Sequence, residues 1–136
     1  MHDEESVIET VLADLDVRLV ESARLGVDYN AVCHSPSRTI IVRWGLDAVT
    51  KRCAIAHELG HVHHGHDCST PRYERDADEW AALQLPDEDR VSQVASESDH
   101  SPAAMAEELG VTPQLLGIWL KMYEAGRVPC TWDCLR

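Results

Sequence analysis

A chain of 136 residues with 44 % hydrophobic residues is long enough for one domain with a real core and short for two. Its 24 acidic residues against 12 basic ones give a formal net charge of −12, which repels phosphate and so disfavours nucleic acids and anionic membranes as partners. No run approaches 18 apolar residues, and the opening MHDEESVIET lacks the basic and apolar regions of a signal peptide, so a cytoplasmic protein without a membrane span is expected.

In chain order, Val7, Ile8, Val11, Leu12 and Leu15 recur at helical spacing and predict a helix over about residues 4–14. Val17 to Glu21 alternates imperfectly and reads as a strand. Tyr29 to His34 and Arg38 to Trp44 are β-type runs around Ser35-Pro36-Ser37, a hairpin turn, with Ile40-Ile41-Val42 as the most buried part. These runs predict a small antiparallel sheet of two or three strands. Gly45 breaks it, Asp47 is placed to cap a helix over about residues 47–64, and Gly65 ends that helix. Val49, Cys53, Ile55, Ala56, Leu59 and Val62 form its inward face. After a polar loop, a third helix is predicted from about Tyr73 to Leu85, stopped by Pro86.

The segment from Asp87 to Ser98 is polar and weakly helical, and Ser101-Pro102 opens another helix with capping chemistry. Met105 to Tyr123 has a helix-turn-helix cadence: Leu109 closes one helix, Gly110 turns, Thr112 caps, and Leu115, Leu116, Ile118, Trp119 and Leu120 pack the next. Lys121 is the lone cation there and Gln114 the other candidate base-reader, so a helical pair completing the core fits better than a DNA reader. Five cysteines (Cys33, Cys53, Cys68, Cys130, Cys134) at irregular spacing, without a secretion signal, are expected to be reduced thiols. The organisation is a single α+β domain over 1–136: a core of about 15–86, a C-terminal helical part of about 87–125 and a short tail, 126–136.

The chemistry concentrates in His57-Glu58-Leu59-Gly60-His61, an HExxH pattern on the second helix. Residues four apart share a helix face, so both imidazoles can reach one Zn²⁺ ion. Glu58 stands beside that ion without binding it, where a general base is useful. Gly60 costs roughly 1 kcal/mol of helix propensity and leaves room for another backbone. A catalytic zinc needs three protein ligands and an open position. The next helix offers Glu74 and Asp78, four apart on one face: Glu74 is the candidate ligand, and Asp78 the carboxylate that orients a ligating histidine through its other nitrogen. Asp76 is the substitute if the helix is rotated. A metzincin pattern would need Gly at 64 and a ligand at 67, whereas the chain has His64, Gly65 and Asp67. His63, His64 and His66 read as a polar helix end favoured by the helix dipole, with His64 or the neighbouring Tyr73 as candidate transition-state stabilisers.

Ala56-His57-Glu58-Leu59-Gly60-His61 followed by Glu74-x-x-Ala77-Asp78-x-Trp80-Ala81-Ala82 resembles the ImmA/IrrE-type metallopeptidases of bacteria, phages and mobile elements. The resemblance covers about residues 15–86 well and the C-terminal helices loosely. It implies a zincin-like fold and one zinc per chain held by His57, His61 and Glu74, with Glu58 as general base. It further implies a site-selective cytoplasmic endopeptidase whose substrate is a helix-turn-helix transcriptional repressor. The alternative from another class is a non-proteolytic, zinc-bound regulatory module that docks on a repressor or a toxin–antitoxin partner.

Overall fold

The apolar run Ile40-Ile41-Val42 lies in the central strand of the sheet, where Ile40 and Val42 are completely shielded from solvent. A computed structural model describes residues 4–84, 88–97 and 101–128. Helix α1 (Glu4–Asp14) leads into strand β1 (Arg18–Ser22), followed by β2 (Ala31–His34) and β3 (Thr39–Arg43). The helices α2 (Ala48–His64), α3 (Pro71–Gln84), α4 (Glu88–Glu97), α5 (Pro102–Leu109) and α6 (Pro113–Glu124) follow. The α+β class is as the sequence implies.

The sheet corrects one expectation. It is mixed, in the order β1-β3-β2, not wholly antiparallel: β2 and β3 form the expected antiparallel hairpin, but β1 pairs with β3 in parallel. The connection after β1 reverses the chain so that β2 runs opposite to it, and the hairpin reverses it again, which leaves β3 parallel to β1 and paired with it on the edge away from β2. The junctions favour this placement. Asp16, at φ 55°, reverses the chain after α1, and Arg38, at φ 49° in the hairpin turn, donates from its guanidinium to the Leu15 and Asp16 carbonyls.

Helix α2 starts where Asp47 accepts from the Thr50 N–H at 3.0 Å and stops at Gly65, whose φ of 72° suits glycine. It buries Cys53, Ile55, Ala56 and Leu59 and packs on α1, β2, β3 and α3. Helix α3 begins two residues earlier than expected, with Pro71 in the first turn and Thr70 Oγ1 accepting from the Tyr73 N–H at 3.1 Å. Its expected end at Leu85-Pro86 lies outside the described residues, as do Cys130 and Cys134; Cys33, Cys53 and Cys68 are free thiols.

The C-terminal pair is made as its cadence implies. Ser101 and Thr112 cap α5 and α6, and Gly110 turns between them at φ 71°. The apolar face of the pair goes inward: Met105, Ala106, Leu109, Leu115, Leu116, Trp119 and Met122 are buried in the same core as Ile40 and Leu59. Helix α6 packs on α3, Arg52 of α2 donates to the Gly110 carbonyl at 3.0 Å, and Arg127 grips Glu79 of α3 with two bonds of 2.7 and 2.9 Å. Among the described residues no helix is long and apolar enough to cross a membrane.

Candidate metal centre

One helical turn separates His57 from His61, and the two Nε2 atoms converge to 3.2 Å. Helix α3 delivers Glu74 to the same point. Its Oε1 is 3.1 Å from His57 Nε2 and its Oε2 2.8 Å from His61 Nε2. These separations can be compared with the chemistry of an ion. Donor atoms held at 2.0–2.1 Å around a tetrahedral zinc stand about 3.3 Å from one another. Two imidazole nitrogens and a carboxylate at 2.8–3.2 Å therefore fit a small tetrahedral cation with only slight spreading, and the donor set suits zinc.

Glu58 also belongs to the cluster, since the ligand atoms of His57, Glu58 and His61 lie within 4.8 Å of one another. Its carboxylate stays 4.0 Å from His57 Nε2, farther than that of Glu74. We read it as lying alongside the donors, because Glu74 alone of the two bridges both Nε2 atoms. The Glu58 side chain is 12 % exposed, and its carboxylate accepts a hydrogen bond from the Cys33 backbone. Burial raises its pKa to about 7; the nearby His57 opposes that and Glu74 reinforces it.

Asp78 Oδ1 is 2.7 Å from His57 Nδ1, which leaves Nε2 facing the donor cluster. Burial by itself would lower the His57 pKa, but the bond and charge of Asp78, with Glu58 and Glu74 behind them, raise it to about 9. Burial lowers that of His61. Asp76 is one helical face away: its Oδ2 is 3.8 Å from His66 Nε2, not beside the paired Nε2 atoms. Tyr73 stacks on His66 at 3.9 Å between ring centres, and His64, on the exposed end of α2, stacks on the same ring at 5.2 Å.

His66 is the residue that sequence reasoning placed wrongly. It was expected in the polar end of the helix, yet its side chain is 7 % exposed and its Nδ1 lies 3.0 Å from His61 Nδ1. A signal was present in the Gly65-His66 pair. A left-handed glycine after a helix folds the following residue back onto the last turn, shown here by the His66 N–H bonded to the His61 carbonyl at 2.9 Å.

The cluster lies in a cleft of about 650 Å³. Ala31, Val32 and Cys33 of β2 form one wall, and Gln114, Leu115 and Ile118 of α6 another. Strand β2 is an edge. The Arg43 N–H bonds to the Asn30 carbonyl at 2.8 Å, so the alternation of an antiparallel ladder turns the backbone groups of Ala31 and Cys33 away from β3. The Cys33 bond to Glu58 agrees with that direction. The described lining includes Asp28, Glu58, Asp67, Glu74 and Asp78 and neither lysine nor arginine.

Against known families, the IrrE N-terminal-like domain, Peptidase_M78, matches residues 12–121. No curated protein and no solved structure matches the chain.

Proposed function

The chain belongs to the Peptidase_M78 family of IrrE N-terminal-like domains, and from that premise we propose that it is a zinc-dependent, site-selective endopeptidase whose substrate is a helix-turn-helix transcriptional repressor. The observation that carries the reading is the convergence of His57 Nε2, His61 Nε2 and the Glu74 carboxylate, with the half-buried Glu58 carboxylate beside them, at the floor of an open cleft. A purely structural zinc site closes on four protein ligands; three donors with a free carboxylate alongside is the arrangement of a catalytic one.

His57, His61 and Glu74 would hold the ion. When bound, zinc acidifies a water and polarises the scissile carbonyl. The remaining chemistry falls to the chain. Glu58 takes the proton of the attacking water and returns it to the leaving amine, and its place beside the donors, 4.0 Å from His57 Nε2, suits that role. The Cys33 N–H fixes the position of that carboxylate, and Asp78 fixes the ring of His57.

The outward backbone groups of Ala31 suit an extended peptide lying along β2, as strand addition requires. The acidic lining favours a segment that carries lysine or arginine. Basic character is what a DNA-binding repressor has to possess, since it holds phosphates.

Zinc-loaded protein and its Glu58→Gln variant, incubated with purified helix-turn-helix repressors and with a proteome-derived peptide library, test the reading by mass spectrometry of new N-termini. Cleavage by the wild type alone, with equal zinc in both proteins, is expected. Zinc-loaded protein that binds a repressor with equal affinity in both forms and cuts nothing would replace the peptidase with a regulatory docking module.

A further inference from the structure

We propose that His66 is a positioning residue of the metal centre, its Nδ1 accepting the ring proton of His61 and so holding His61 with Nε2 turned to the ion. The inference rests on the reading of His57, His61 and Glu74 as metal ligands.

The protons on the two rings can be counted. His61 Nε2 faces His57 Nε2 and Glu74, so it is the atom available to a cation. A neutral imidazole that ligates through Nε2 carries its proton on Nδ1. That nitrogen lies 3.0 Å from His66 Nδ1, a hydrogen-bonding distance that needs one donor and one acceptor. His66 is then the acceptor, and its own proton sits on Nε2, the atom that faces Asp76 Oδ2 at 3.8 Å. The two candidate ligands are thus backed in different ways. Asp78 holds His57 directly at 2.7 Å, whereas His61 is held through an imidazole with a carboxylate behind it. Asp76 lies on that side of His66 and away from the paired Nε2 atoms.

His66 is held for this task by its backbone and by its ring. Gly65, at φ 72°, folds it back over the last turn of α2, and its N–H bonds to the His61 carbonyl at 2.9 Å. Tyr73 lies flat against its ring, with 11° between the planes at 3.9 Å, and its side chain is 7 % exposed. A histidine serving only the helix dipole would keep its ring in water and use no ring nitrogen on the next imidazole.

Two substitutions separate positioning from packing. His66→Phe keeps a ring against Tyr73 but removes the acceptor, whereas His66→Asn loses the ring but can place an amide oxygen near the position of Nδ1. With zinc as the probe and a chromophoric chelator as competitor, His66→Phe is expected to weaken binding by roughly 10–100-fold, and His66→Asn to stay within about threefold of wild type. Wild-type affinity in His66→Phe, or equal losses in both variants, would overturn the proposal.

Wild-type protein labelled with ¹⁵N-histidine and loaded with zinc gives a second readout that needs no variant to fold. A scalar coupling between His61 Nδ1 and His66 Nδ1 is expected, and a proton on His66 Nδ1 would contradict the proposal. Zinc stoichiometry of the wild type tells the two readings apart. About one zinc per chain with the wrong variant pattern sinks the role of His66 alone, while absence of stoichiometric zinc removes the metal centre and this inference with it.

Discussion

A Cβ added to Gly60 would lie 2.8 Å from the carbonyl oxygen of Ala77 and 2.9 Å from its Cα. Helices α2 and α3 therefore touch backbone to backbone one residue before His61 and one residue before Asp78. No flexible side chain is there to yield. Gly60→Ala should push the helices apart despite the better helix propensity of alanine, costing about 1–3 kcal/mol of stability. Because α3 carries Glu74 and Asp78, metal affinity should fall with it. Chemical denaturation and zinc competition on the same variant check both, and a Gly60→Ala protein more stable than wild type would refute the contact.

Metal content should sort the acidic residues of α3. Wild type should carry about one zinc per chain, which His57→Ala and Glu74→Ala should abolish. Asp78→Asn should still bind, with affinity reduced by roughly 10–100-fold, since it removes only the partner of His57 Nδ1. Asp76→Ala should keep stoichiometric zinc, because its carboxylate faces His66 and not the paired Nε2 atoms. Elemental analysis after dialysis decides; loss of zinc in Asp76→Ala with retention in Glu74→Ala would reassign the ligand.

Chelator-treated protein should lose stability as pH rises. Folded His57 titrates near 9 against an ordinary value near 6.5, so the folded state holds an extra proton between those values. Its contribution, up to about 3 kcal/mol, is full below pH 6.5 and lost as pH rises through 9. Glu58, near 7 against 4.5, has the same sign over a lower window, and His61, lowered by burial, opposes both below 6.5. The urea midpoint of metal-free protein should fall between pH 7 and pH 9.5, and fall less in Asp78→Asn, which lacks the partner that raises His57. A midpoint that climbs over this range would contradict the assignment.

The C-terminal helices should unfold with the rest. Leu116 is fully buried in the cluster that contains Ile40 and Leu59, and α6 packs on α3. Leu116→Ala is expected to cost about 2–5 kcal/mol and to keep a single calorimetric transition. A separate early transition would mean that α5 and α6 are an independent appendage.

Much of the site was legible in sequence because its determinants are local. The four-residue step from His57 to His61 puts two imidazoles on one helix face whatever surrounds the helix. Asp47 caps and Gly65 stops that helix through their own side-chain and backbone chemistry, and Ser35-Pro36-Ser37 turns the hairpin for the same reason. The small residue at position 60 announced a close approach, though not which backbone would come.

What lay beyond the sequence are relations between elements. Which edge of β3 receives β1 depends on packing that no residue of β1 encodes alone, and a parallel pair was the outcome. Glu74 and Asp76 differ by about 200° around α3, so only one can face the histidines, and the contact between Gly60 and Ala77 selects it. His66 has the same composition as its exposed neighbours His63 and His64; a single left-handed turn carries it from the solvent to His61. The sequence by itself determined the chemistry of each donor and the periodicity that presents it, because those follow from bonds within one element. Tertiary structure decided which donors meet, because that depends on how the backbones of separate elements pack.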